Sequence, residues 1–152
     1  MPRSRFHVLL SVALVGLAAL AAVAVLEAQP AKRTTMDGVY TLAQANEGKD
    51  LFAGLCQSCH TPTVHAGPPF RNKWFGQTLG ELFGYIRREM PKADPGVLSD
   101  EEYAAVTAYL MRINGMPTGR TPLAADSAAL HRIKIDSVPR SSAAPTTPDA
   151  RR

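Results

Sequence analysis

Cys56-Gln57-Ser58-Cys59-His60 sets two thiols three residues apart, with an imidazole directly after the second. This is the spacing of a c-type haem attachment signature. Each residue type does a different piece of chemistry, since the thiols add across the two vinyl groups of a porphyrin and the adjoining His60 imidazole reaches the iron. These are the only two cysteines in 152 residues, so neither is left for other work. Two other chemistries use the same side chains. A disulfide or redox dithiol normally sits beside a βαβ pattern, and none is apparent in the sequence. A zinc site could draw on Cys56, Cys59, His60 and His65, but zinc motifs place their second ligand pair well away along the chain.

Helical patterning between Val39 and Gly115 supplies the scaffold. A domain of about 75 residues is marginal on an apolar core alone and is usually stapled, as a covalent haem would do. Thr41-x-x-Gln44 has the form of a capping box and predicts a first helix over 42–54. Gly48, Leu51, Phe52 and Leu55 then fall on one face that leads into the cysteines, with Gly48 permitting close helix contact. Prolines and glycines from Thr61 to Gln77 predict no long element, and His65 to Phe70 reads as a loop. A backbone carbonyl there, such as that of Pro68, is the expected acceptor for the second nitrogen of His60. Trp74, the only tryptophan, is either an N–H donor to a haem propionate or a core aromatic, and the two roles are compatible. Thr78-x-x-Glu81 opens a second helix running to Glu89, and Met90-Pro91 interrupts it, so Met90 sits on a loop. Ser99-x-x-Glu102 opens a last helix ending at Gly115, with Tyr103, Val106, Leu110 and Ile113 as its buried face.

The flanks differ in kind. The chain carries a formal charge of +4, yet residues 41–115 hold 7 Lys and Arg against 8 Asp and Glu, so the basic excess lies outside the domain. Nucleic-acid binding wants basic residues gathered on a folded face, and this distribution gives it no support. Arg3 and Arg5 precede an uncharged run from Val8 to Leu26, which reads as an export signal cut near Ala28 or as a retained membrane anchor. Either places the domain on the periplasmic side. The expected organisation is thus 1–28 signal or anchor, 29–38 linker, 39–116 haem domain, and 117–152 a Pro/Ser/Ala-rich extension whose end reads as disordered. Leu123, Leu130, Ile133 and Ile135 are the apolar exceptions in that extension and are expected to drape over the domain.

Glu47-Gly48-Lys49-x-Leu51-Phe52-x-x-x-Cys56-x-x-Cys59-His60, with Gly67-Pro68, Trp74-x-Gly76, Met90-Pro91 and Ala108-Tyr109-Leu110, resembles a class I cytochrome c over residues 39–115. The resemblance implies a small all-α domain around one covalently bound haem c, with His60 and Met90 as axial ligands of the iron. It implies electron transfer rather than catalysis, with redox protein partners such as a dehydrogenase, a respiratory complex or a terminal oxidase. A methionine thioether raises the haem potential, and a six-coordinate iron leaves no position for substrate. Phe52, Leu55, Phe70, Leu82, Phe83 and Ile86 are the residues expected to surround the macrocycle. The alternative is a haem-based gas sensor or small haem enzyme in which Met90 is absent from the iron or readily displaced.

Overall fold

The computed structural model describes residues 33–136. The run at 8–26, the first residues of the expected linker and the tail from 137 lie outside them. In chain order the elements are β1 (Arg33–Thr34), a 3-10 turn (Thr35–Asp37), α1 (Leu42–Leu55), a second 3-10 turn (Pro62–His65), α2 (Pro68–Trp74), α3 (Leu79–Glu89), α4 (Asp100–Ile113), α5 (Ser127–Leu130) and β2 (Ile133–Lys134). The domain is all-α apart from the two short strands, as the class I cytochrome c resemblance implies.

The helix starts follow local chemistry. Thr78 and Glu81 form a reciprocal capping box at α3, and Ser99 and Glu102 form another at α4. At α1 the box is only half made: the Thr41 hydroxyl accepts the Gln44 N–H, while the Gln44 side chain goes elsewhere. The α4 terminus carries the glycine stop that the sequence announces. Gly115 adopts φ 79°, and the N–H groups of Gly115 and Met116 donate back to the carbonyls of Arg112 and Met111.

Helices α1 and α4 cross at Gly48, where a Cβ would lie 1.8 Å from the Ala105 carbonyl oxygen. Backbone meets backbone there, and Phe52 packs on Tyr109 beside it at 5.4 Å between ring centroids. The Asn46 side chain accepts from Arg112 across the same pair of helices. The sequence pattern offered one buried stripe on α4. Instead every residue from Tyr103 to Met111 is buried, because α1 and α3 both pack on this helix and it runs through the middle of the core.

Three expectations need correcting. Residues 68–74 are helical, not loop: Pro68 and Pro69 occupy the first helical positions, where the missing N–H costs nothing and the fixed φ is already helical. Leu55, assigned to the packing face of the first helix, is 41% exposed. The linker expected to run to residue 38 is folded from Arg33 onward, with its own Thr34/Asp37 capping box.

Beyond Met116 the chain returns over the domain. Tyr40 Oη donates to the Met116 carbonyl at 2.6 Å, and Gly119 N–H donates to the Tyr40 carbonyl at 2.7 Å. Gly119 packs so closely on Gly38 that a Cβ would sit 1.8 Å from the Gly38 oxygen. The Gln44 amide holds Leu123 with a fork, donating to its carbonyl at 2.9 Å and accepting its N–H at 2.7 Å. Leu123, Leu130, Ile133 and Ile135 are all buried. Strand β2 pairs in parallel with β1, and Ile135 exchanges hydrogen bonds with Gly76 and Gln77.

Candidate functional site

The attachment sequence forms the turn that follows α1. Cys56 caps that helix by donating its N–H to the Phe52 carbonyl at 2.9 Å. Its own carbonyl then accepts the N–H groups of Cys59, at 3.1 Å, and His60, at 2.9 Å. One backbone oxygen therefore gathers both thiols and the imidazole into a single turn. Both thiols are free, Cys56 half-buried and Cys59 exposed. Burial pushes the Cys56 thiol above its ordinary value.

Beside this turn lie apolar side chains that the protein itself does not cover. Leu55 is 41% exposed and Val64 49% exposed, on either side of the motif in sequence. Uncovered aliphatic surface next to two free thiols and an imidazole fits a flat apolar macrocycle bound there, and the donor set is that of a covalently held haem. Among the described residues no group of three or more His, Cys, Asp or Glu is arranged to hold a metal ion.

His60 is half-buried, and its ring abuts that of His65, with centroids 4.9 Å apart and planes at 63°. His65 in turn meets Phe52 edge-on at 5.9 Å. Burial first, then the charges of His60 and Lys73, hold the His65 imidazole below its usual range. Pro68 is the first residue of α2, and among the described residues His60 makes no hydrogen bond to its carbonyl. The sequence treated His65 only as a loop or zinc residue, and its packing on His60 was not foreseen.

Met90 follows α3 directly, in extended conformation, half-buried against the core. Its carbonyl accepts the Tyr103 hydroxyl at 2.8 Å, and the same hydroxyl accepts the Gly96 N–H at 2.9 Å. One buried phenol on α4 thus clamps both ends of the Met90–Gly96 loop. Tyr103 was legible only as a core residue, since nothing in its spacing reveals where the hydroxyl goes. Tyr103→Phe strips the loop of this clamp while keeping the ring, and is expected to lower stability by about 1–3 kcal/mol. Chemical denaturation of the holoprotein measures it, and an unchanged midpoint would show that the loop holds itself.

Trp74 is buried at the end of α2, with Tyr85 edge-on at 5.5 Å and the Lys73 ammonium over both rings. It lines a cleft of about 490 Å³ between α2, α3 and α5, together with Gly80, Gly84, Arg88 and His131. The core-aromatic role is therefore filled. Among the described residues no buried side-chain nitrogen or oxygen lacks a partner, so its indole N–H is not sealed away unsatisfied.

Residues 43–110 match the family model described as cytochrome C oxidase, cbb3-type, subunit III. The match contains Cys56, Cys59, His60, Trp74 and Met90. No curated protein and no solved structure gives a match. With the attachment turn, the α1–α4 crossing and the family match together, this part of the chain is a c-type cytochrome domain, an electron-transfer module of the kind that carries haem c.

Proposed function

We propose that the domain is an electron carrier in which Cys56 and Cys59 would hold one haem c through thioether bonds and His60 and Met90 would ligate its iron. When bound, the group supplies a reversible one-electron change at iron. The observation that carries the reading is the turn in which the Cys56 carbonyl holds Cys59 and His60, with both thiols free. His60 directly follows the second thiol, so attachment and ligation come from one segment. Met90 offers a soft thioether that raises the potential, and as second ligand it would close the position at which oxygen or substrate could enter. Trp74 is proposed as a propionate donor through its indole N–H.

Met116 also precedes a proline and is the other methionine at the edge of the domain that could compete for the iron. Its surroundings favour Met90. Met116 is only 3% exposed, and its carbonyl is bound by Tyr40, within the contact between the α4 terminus and the returning chain. Met90→Ala should abolish the weak iron–sulfur charge-transfer band of the oxidised protein, lower the potential and admit carbon monoxide to the reduced iron. Met116→Ala should leave all three nearly as in the parent. The reverse pattern would move the ligand role to Met116, and rapid carbon monoxide binding by the unmutated protein would favour the sensor or enzyme reading.

The family description concerns an oxidase subunit, and we place the domain's partners among redox proteins of that kind, an oxidase complex or a dehydrogenase. The uncharged run at 8–26 lies outside the described residues; by its length and the arginines before it, it would hold the domain to the outer side of a membrane. Fractionation with intact mass tests this, and a soluble protein starting near Gln29 would indicate cleavage instead.

A further inference from the structure

We infer that Asn114 and His65 are positioning residues for His60: the Asn114 amide ties the segment after the thiols to the end of α4 and so holds the His65 ring against that of His60. This rests on the reading of His60 as an iron ligand.

Asn114 caps α4, and its side chain turns back toward the attachment segment. Its Oδ1 accepts the Gly67 N–H at 2.9 Å, while Nδ2 donates to the His65 carbonyl at 2.9 Å and to the Leu110 carbonyl at 2.8 Å. Both amide protons and the carbonyl are thus engaged. The network allows one orientation only, because a flipped amide would set its oxygen against two carbonyls and its NH2 against an N–H. Carboxylate, hydroxyl and apolar side chains all fail to supply this combination.

The segment needs such a tie. Within the 3-10 turn at Pro62–His65 the local bonds are long: Val64 N–H to the Thr61 carbonyl at 3.2 Å and Ala66 N–H to the Thr63 carbonyl at 3.3 Å. Gly67 then reverses the chain at φ 62°. Asn114 grips this stretch on both sides of Ala66 and joins it to the most deeply buried helix. A second route converges on the same ring, from Tyr109 on α4 through Phe52 to His65. Groups that support a ligating imidazole fix its orientation and tune the metal.

The test uses the full-length haem protein, with Asn114→Ala, His65→Ala and a control, Asn46→Ala, which removes the Asn46–Arg112 bond across α1 and α4 without touching the segment. Reduction potential, the low-spin electron paramagnetic resonance of the ferric form and hydrogen exchange at the Gly67 amide are the readouts. Asn114→Ala should lower the potential, change the g-value spread and speed Gly67 exchange about tenfold, the loss of one net hydrogen bond. His65→Ala should change the g values while leaving Gly67 protected, because the carbonyl that Asn114 grips is retained. Asn46→Ala should match the parent in potential and resonance. If Asn114→Ala does not fold, Asn114→Asp keeps the Gly67 acceptor but turns a carboxylate toward two carbonyls, and it should alter the resonance alone. Parent-like potential and g values in both Asn114 variants, or equal changes in Asn46→Ala, would overturn the inference. A parent protein without covalent haem would instead overturn the His60 reading on which it rests.

Discussion

Cys56→Ala combined with Cys59→Ala is expected to leave a chain without covalent haem, low in helix and without a cooperative melt. The core of this domain is small, and Leu55 and Val64, before and after the turn that carries the thiols, are left open by the protein. Removing the group proposed to cover Leu55, Val64 and the half-buried face of Met90 would forfeit several kcal/mol of apolar contact, comparable to the whole stability of a domain this size. Haem-stained denaturing gels report attachment, and circular dichroism during heating reports the fold. Native-like helicity with a sharp melt in the double variant would mean that the helices pack without the haem, and the organising role given to the attachment turn would fall.

The second large effect belongs to Gly48→Ala. The added methyl would lie 1.8 Å from the Ala105 oxygen, 2.3 Å from its carbonyl carbon and 2.8 Å from the Val106 nitrogen, all backbone atoms of α4. No flexible side chain is available to yield, so α1 and α4 must separate and the Phe52–Tyr109 contact must loosen with them. A loss of about 3 kcal/mol or more follows. Gly54 supplies the comparison on the same helix, since nothing lies within 4 Å of its Cβ position. Gly54→Ala should raise stability by up to about 1 kcal/mol through helix propensity. Urea midpoints of the two variants would separate the effects, and similar midpoints would show that the crossing is softer than its geometry implies.

Much of this architecture was legible because its signals are local. Thr78 with Glu81, Ser99 with Glu102, and Gly115 after Asn114 each fix a helix end by chemistry within four residues, and the structure places the ends there. The attachment turn is legible for the same reason. What escaped depends on partners far along the chain. Gln44 looks like a capping residue from its spacing, yet its amide binds Leu123, a partner no local rule reveals. Strands β1 and β2 are two residues each, too short for an alternating pattern. Helix α2 was lost to the reading of prolines as breakers, though at the first helical positions they are starters. Around the site, Asn114 and Tyr103 act through single polar atoms aimed at backbone carbonyls. Sequence shows that such residues are polar or buried, not where their hydrogen bonds lead.

The pairing of Arg33 with Ile133 joins residues 100 positions apart. Closing a chain segment of that length costs about 4 kcal/mol of entropy, and two residue pairs of ladder return only part of it. The clasp therefore depends on helix packing to bring its halves together. Among the described residues Ile133 and Ile135 are the last buried side chains along the chain, so a chain delivered from its N-terminus presents Cys56 to His60 before the second half of the clasp arrives. The thiols can therefore be modified before Arg33–Thr34 is fastened to Ile133–Lys134.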